Sequence, residues 1–373
     1  MRPSATSNRR VLVVGCGGIG GVVAATLSEH ASTLTTLTTL GAGLEVVALT
    51  TNPAIASAVQ QQGFHLRGSD GARTVPGTIV TSLPDDTAPF DWILLATQPP
   101  QVEEAARSVQ GLLGPDGAMV CFQNGLCESR IERLFPEGEG RDRVVGAVIA
   151  WGASMPEPGV YERTSAGGFT IGRMDGADDP RLSQLDAILE PIGPVTVSRN
   201  LAGARWSKLA INCAISTLGT LGGARLGALM THRFVRRLAL EIMTEVVAVA
   251  RAERVRLEKV SGTIDLEWIA LTPDERRARG SAGLVAKHSM LLAVGARYRR
   301  MRSSMLAAIE RGRTPAVDFL NGEVVSRGRA HGIPPPINAE AQRLVHALAH
   351  GEVEPGMALL HDLSRRVADL PDR

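Results

Sequence analysis

Two features of the sequence carry chemistry through residue type and spacing. The first is Gly15-Cys16-Gly17-Gly18-Ile19-Gly20, a Gly-x-Gly-x-x-Gly loop that follows the apolar run Val11–Val14 and leads into the helix-patterned Gly21–Leu27. In that position the first glycine permits a tight turn, the second lets backbone approach a pyrophosphate, and the third lets helix and strand pack closely. The free N–H groups of the following helix then favour an anion. The loop is therefore expected to bind a dinucleotide through Gly15, Cys16, Gly17, Gly18, Ile19 and Gly20. The second feature is a scarcity of lysine. Of 40 basic residues only Lys208, Lys259 and Lys287 are lysines. Base composition explains a preference for arginine, and Lys208 beside Trp206 is compatible with a lysine lying along the surface. Yet Lys208 precedes Asn212 by four residues, which places an ammonium and an amide on one helical face. An ammonium there can stabilise negative charge on a substrate oxygen and deliver a proton, a role for which arginine is poorly suited.

The elements that position these residues fall into two halves. Apolar strands at Val11–Val14, Leu44–Leu49, Trp92–Ala96 and Ala118–Phe122 alternate with helical segments at Ala54–Gln62 and Val102–Leu113. This alternation predicts βαβ units and a doubly wound parallel sheet. Val144–Trp151, Gly159–Arg163 and Gly168–Arg173 read as an antiparallel extension, followed by a helix near Arg181–Leu189 and a strand at Val195–Ser198. Beyond residue 200 the strand signals nearly vanish. Helical spacing runs through Ala204–Leu218, Phe234–Arg254, Leu284–Arg311, Ala316–His331 and Asn338–His350. The expected architecture is an α/β Rossmann-type N-terminal domain, residues 1–200, plus an all-α C-terminal domain, residues 201–373, for substrate binding and dimerisation. The Thr/Leu-rich stretch Ala31–Gly43 fits a loop, a helix continuation or a strand.

Cofactor choice turns on the end of the second strand, where an acid would hold a ribose 2′-hydroxyl. Thr50-Thr51-Asn52 stands there, with neither an acid nor an arginine. Thr50 and Thr51 are the expected contacts, and the missing acid favours NADP while leaving NAD open. Hydrophobic residues make up 44% and charged residues 21%, which suits a globular chain. A net charge of +2 offers nothing to attract nucleic acid. The expectation is a cytoplasmic protein with neither nucleic-acid nor membrane partners. It rests on a polar N-terminal stretch without signal character, no uninterrupted apolar span, and four scattered cysteines without metal-ligand spacing. No metal site is expected.

Three further stretches join the glycine loop: Phe122-Gln123-Asn124-Gly125-Leu126, Trp206-Ser207-Lys208-Leu209-Ala210-Ile211-Asn212-Cys213, and Ser303-Ser304-Met305 with Val317-Asp318-Phe319-Leu320-Asn321-Gly322. In this order the set resembles the ketopantoate reductase (2-dehydropantoate 2-reductase) family from Arg10 to about Arg343. The resemblance implies NADPH-dependent reduction of a 2-keto acid to its 2-hydroxy acid, in a cleft between the two domains. It places the catalytic lysine at Lys208 and a substrate-binding asparagine at Asn212. A serine contacting the substrate carboxylate falls at Ser304, and an asparagine near the nicotinamide at Asn124. The partner so implied is a small-molecule carboxylate, and a homodimer is expected.

The sequence departs from the family pattern at three places. Ala316 stands where a glutamate would hold the hydroxyl of ketopantoate. Pro99 and Thr50 stand near the positions of the lysine and arginine that would grip a 2′-phosphate. Ser216 replaces a second asparagine one turn past Asn212. The expectation is the same chemistry on a different substrate, since loss of a group built for a substrate hydroxyl redirects choice. Arg297, Arg300 and Ser304, at spacings of three and four, would share one face of a long Leu284–Arg311 helix. That face is either a carboxylate fork or a solvated basic stripe. His288, Glu245 and Glu310 are candidate polar members of the site, although a lone His or Glu on an amphipathic helix is more often structural. Two other functions fit the same scaffold: an oxidative hydroxy- or amino-acid dehydrogenase, and a non-catalytic dinucleotide sensor.

Overall fold

The computed structural model describes residues 9–37, 43–68, 71–260, 264–277 and 280–369. The chain divides into two compact units, Met1–Gln123 with Cys127–Leu201, and Asn124–Leu126 with Ala202–Arg373.

The first unit runs β1 (Arg9–Val14), α1 (Gly18–Leu37), β2 (Leu44–Leu49), α2 (Pro53–Gln62), β3 (Phe64–Gly68), β4 (Gly71–Val75), β5 (Thr78–Val80) and β6 (Phe90–Leu95). It continues through α3 (Val102–Val109), β7 (Leu113–Cys121), α4 (Glu128–Glu132), α5 (Gly140–Arg143), β8 (Val144–Ile149), β9 (Ala153–Glu157), β10 (Val160–Arg163), β11 (Phe169–Gly172), α6 (Leu182–Leu189) and β12 (Val195–Val197). Val11, Leu12 and Val13 are fully buried, as a strand covered on both faces of a parallel sheet must be. Strands β5-β2-β1-β6-β7-β8 pair in parallel. This is the Rossmann order, whose reversal beside the first strand opens a crevice at the strands' C-terminal ends. β11 joins antiparallel to β8, and β12 lies parallel to β11.

The expected antiparallel extension is only partly right. β10 leaves the main sheet and pairs with β9 and β3 in a separate sheet of order β4-β3-β10-β9. β3 alternates only over Phe64–Arg67, too short a run to stand out, and β4 is exposed at four of its five positions, so the sequence analysis passed over both. This second sheet packs on α1, where a Cβ on Gly21 would overlap the buried ring of Tyr161 and one on Gly18 would come 2.7 Å from the Ala153 carbonyl oxygen. The extra glycines of the loop therefore answer to the packing of a sheet. The Thr/Leu-rich stretch continues α1 as far as Leu37, and residues 38–42 lie outside the described residues.

The second unit is helical: α7 (Leu201–Gly222), α8 (Leu226–Met230), α9 (Arg233–Ala252), α10 (Leu266–Ile269), α11 (Pro273–Arg277), α12 (Ala282–Arg297), α13 (Ser304–Ile309), α14 (Asn321–Ala330), α15 (Pro336–Ala349) and α16 (Met357–Ala368). The expected Leu284–Arg311 helix is two helices. Ser303 takes an extended conformation and caps α13, accepting from the Leu306 N–H at 3.4 Å. Its hydroxyl also donates to the Ser216 carbonyl at 3.0 Å, and the Leu226 N–H donates to the Met301 carbonyl at 2.9 Å. These long-range bonds hold the Tyr298–Ser303 connection out of helix. Arg297 and Arg300 therefore do not share a helical face with Ser304.

A buried polar chain crosses the helical core. Thr217 Oγ1 donates to Asn321 Oδ1 at 2.6 Å, and Asn321 Nδ2 donates to the Cys213 carbonyl at 3.2 Å and to Asn338 Oδ1 at 2.9 Å. Asn338 Nδ2 donates to the Glu245 carboxylate at 2.8 Å, which also accepts the Ile337 and Asn338 N–H groups at the start of α15. A network of this kind rewards one arrangement of its helices, because a member left unbonded inside the core is costly.

Candidate active site

The glycine loop leaves β1 at Gly15, whose φ of +93° is closed to most side chains. A Cβ there would also approach the Thr97 backbone nitrogen at 2.9 Å. A Cβ on Gly20 would overlap the Gly15 carbonyl oxygen. At Gly17, by contrast, a Cβ would meet no described atom within 4 Å. The loop is thus closed on its protein side and open at its middle glycine, an arrangement that fits a pyrophosphate lying against backbone N–H groups at the start of α1. Of Cys16 and Ile19, only the backbone is open to such a ligand. The Cys16 thiol is buried against the Leu49 carbonyl at 3.6 Å, and Ile19 packs on the core.

After β2, the Thr50 hydroxyl accepts from the Asn52 N–H at 3.3 Å, and Asn52 Oδ1 caps α2 by accepting from the Ala54 N–H at 3.0 Å. Local backbone thus occupies two of the three polar side chains that follow β2, and Thr51 stays exposed. Neither a carboxylate nor a guanidinium stands on Thr50–Asn52.

In the helical unit, α7 is buried along one side at Leu209, Ala210, Cys213, Ala214, Thr217 and Leu218. Lys208, Ile211, Asn212, Ile215 and Ser216 are all half-buried and share the opposite stripe at spacings of three and four. Trp206 and Ser207, by contrast, are anchored in the core, with the Ser207 hydroxyl donating to the Glu258 carbonyl at 2.6 Å. Lys208 therefore points with Asn212 and Ser216 along a surface that the helix does not bury. Burial lowers the Lys208 pKa from 10.5 to about 7, with the Arg205 guanidinium adding to the shift. Asn212 Nδ2 is buried with no hydrogen-bond partner among the described residues. An orphaned donor of this kind calls for an acceptor that the described residues do not provide. The Ser216 carbonyl is taken by the Ser303 and Thr220 hydroxyls.

Asn124 is exposed, next to Gly125, where φ is +97° and a Cβ would overlap the Phe319 carbonyl oxygen. Ser304 is the exposed first residue of α13. Ala316 is half-buried in a short turn over Ala316–Phe319 and supplies no polar group. Asp318 accepts from Gln342 and bonds to the His346 ring, each at 2.7 Å. Glu245 belongs to the core network, Glu310 pairs with Arg302, and His288 is buried. Sequence reasoning missed Ile211 and Ile215, although the same spacing that joined Lys208 to Asn212 could have found them.

Residues 11–176 match the family described as Ketopantoate reductase PanE/ApbA, and residues 200–349 match Ketopantoate reductase PanE/ApbA C terminal. The chain belongs to the ketopantoate reductase family. It is accordingly an NAD(P)-dependent oxidoreductase. A curated family member, the 2-dehydropantoate 2-reductase of Halobacterium salinarum, is 29% identical over 330 residues, covering 88% of this chain and 95% of that one. A PanE/ApbA family ketopantoate reductase from Ralstonia eutropha superposes with a TM-score of 0.70 at 23% identity, covering 96% of this chain and 99% of the other. D-mandelate dehydrogenase, solved with NADH and anilino(oxo)acetate, superposes with a TM-score of 0.72 at 17% identity, covering 92% and 99%. At these identities the two structures establish a shared fold. Among the described residues, no helix is long and apolar enough to cross a membrane.

Proposed function

We propose that this ketopantoate reductase family member reduces the keto group of a small 2-keto acid, with Lys208 as general acid and Asn212 as a substrate ligand. The observation that carries this reading is the pairing of an ammonium of pKa about 7 with an unpartnered buried amide one helical turn away. Gly15, Gly17 and Gly20, with the backbone of Cys16, Gly18 and Ile19, would hold the dinucleotide pyrophosphate at the start of α1. NADP is preferred over NAD, because no carboxylate follows β2 to hold a 2′-hydroxyl or repel a 2′-phosphate. Thr51 is the side chain left to meet that position, and Asn124 remains the candidate contact to the nicotinamide.

The reduced nicotinamide, when bound, supplies a hydride to the carbonyl carbon. Lys208 donates a hydrogen bond to the carbonyl oxygen, stabilises the negative charge that develops there and passes its proton to it, leaving a neutral amine and an alcohol. Asn212 Nδ2 donates to the substrate and fixes its orientation. Ser216 and Ser304 are the remaining candidates for contact with the carboxylate. The same proposal includes a homodimer and a reducing cytoplasmic setting, supported by the apolar Val285 and Leu292 exposed on α12 and by four buried free cysteines.

The test is to follow oxidation of NADPH and NADH with a panel of 2-keto acids. Lys208→Ala is expected to lower kcat by about 10²–10⁴-fold while dinucleotide affinity holds. Wild-type turnover in that variant would remove Lys208 from the mechanism.

A further inference from the structure

Tyr161 on β10 belongs to the second sheet, yet its hydroxyl reaches the glycine loop. The side chain is fully buried, and its ring packs so closely on Gly21, in the first turn of α1, that a Cβ there would overlap it. Phe64 on β3 flanks the ring, with 5.9 Å between centroids. The phenol hydroxyl donates to the Cys16 carbonyl at 3.4 Å, its one hydrogen-bond partner among the described residues. A buried phenol usually finds a partner, and here that partner is the backbone of the loop itself. Burial, and then Cys16, push the phenol's pKa up, so it remains a donor. The Cys16 thiol meanwhile meets the Leu49 carbonyl at the end of β2. Cys16 is thus held from two sides.

We infer that Tyr161 is a positioning residue for dinucleotide binding, fixing the Cys16–Gly17 peptide so that the Gly17 N–H is presented to the pyrophosphate. This rests on the reading of the glycine loop as the dinucleotide cradle. In a planar trans peptide the carbonyl of one residue and the N–H of the next point in opposite directions. With the Cys16 carbonyl drawn toward Tyr161, the Gly17 N–H points away from that ring. This N–H donates to no described residue. Gly17 is also the loop position where a Cβ would meet no described atom within 4 Å. A glycine backbone turns easily, so a group outside the loop is needed to hold the peptide in one orientation. A donor already aimed needs no rearrangement when the ligand arrives, which is how preorganisation raises affinity. The second sheet therefore sets the phosphate loop as well as packing on α1.

The experiment measures NADPH affinity by calorimetric titration of the purified full chain, in wild type, Tyr161→Phe, Gly17→Ala and the double variant. Tyr161→Phe keeps the ring and removes only the hydroxyl. At 3.4 Å the bond is long, so the expected weakening is modest, about 2–10-fold in Kd. Gly17→Ala puts a methyl group where a phosphate would approach the same N–H. The two changes therefore act on one peptide, and Tyr161→Phe should add less than about twofold on the Gly17→Ala background. Denaturant unfolding of the same four proteins reports any general loss of stability. A merely structural Tyr161 would lower the denaturation midpoint and leave Kd unchanged. An unchanged Kd in Tyr161→Phe, or losses that simply add in the double variant, overturns the inference while leaving the cradle reading intact. Wild-type NADPH affinity in Gly17→Ala overturns the cradle reading itself, and this inference with it.

Discussion

Thr217 and Asn321, 104 residues apart in sequence, are joined in the helical core by a 2.6 Å hydrogen bond between buried side chains. Thr217 lies on the side of α7 opposite Lys208 and Asn212, so the bond sets the rotation of the helix that carries them. Asn321→Ala would leave the Thr217 hydroxyl and Asn338 Oδ1 without this partner inside the core. The expected cost is about 2–4 kcal/mol, read as a lowered denaturation midpoint. An unchanged midpoint would show that packing alone orients α7.

With Lys208 as the proposed general acid, activity and stability should respond to pH in opposite senses. The proposed reduction uses the ammonium, so kcat/KM in the reductive direction should fall as pH rises through about 7. The folded protein holds this proton less tightly than the unfolded chain. Stability should therefore rise with pH between about 7 and 10.5. Lys208→Met should remove both effects, flattening the pH–rate profile at a low level and the stability profile over that window. A wild-type stability slope in Lys208→Met would assign the titration to another group.

Gly17 and Gly20 should separate ligand binding from folding. Gly17→Ala adds a methyl group where no described atom lies within 4 Å. Stability should stay within about 0.5 kcal/mol of wild type, while dinucleotide affinity drops tenfold or more. Gly20→Ala forces a Cβ onto the Gly15 carbonyl and should cost about 1–3 kcal/mol before any ligand is added. Thermal unfolding with and without NADPH distinguishes the two outcomes. Loss of binding without loss of stability in Gly20→Ala would contradict the steric account.

His288 should contribute to acid sensitivity. Burial, then the guanidinium groups of Arg236, Arg233 and Arg237, lower its pKa from 6.5 to about 4. The folded state keeps the ring neutral while the unfolded chain protonates, so stability is lost as pH falls from about 6.5 to 4. His288→Gln should lessen that loss, measured by denaturant unfolding across the interval. An identical acid profile would show that carboxylates alone govern it.

Local patterns made the glycine loop and its βαβ setting legible. A parallel strand buried on both faces must be a continuous apolar run, and a phosphate turn must be rich in glycine. Lys208 and Asn212 were legible for a similar reason, because their spacing fixes their shared face wherever the helix packs. Lys287, unexplained by its neighbours in sequence, gains its reason only in three dimensions: its buried ammonium meets the Glu275 carboxylate and the Ala270 carbonyl.

The sequence by itself determined a glycine-rich turn on an α/β scaffold, a helical second half, and an ammonium and amide sharing one helical face. Each of these depends on neighbours within a few residues. Tertiary structure decided what lies far apart along the chain. Ser303 breaks the expected long helix because its hydroxyl reaches the Ser216 carbonyl, 87 residues away. Gly21 is required by Tyr161 in a sheet that periodicity did not reveal. Ile211 and Ile215, on the half-buried stripe of α7, line a recess because helices from distant parts of the chain close around them. Local spacing sets the direction in which a side chain points, and only packing sets what it meets.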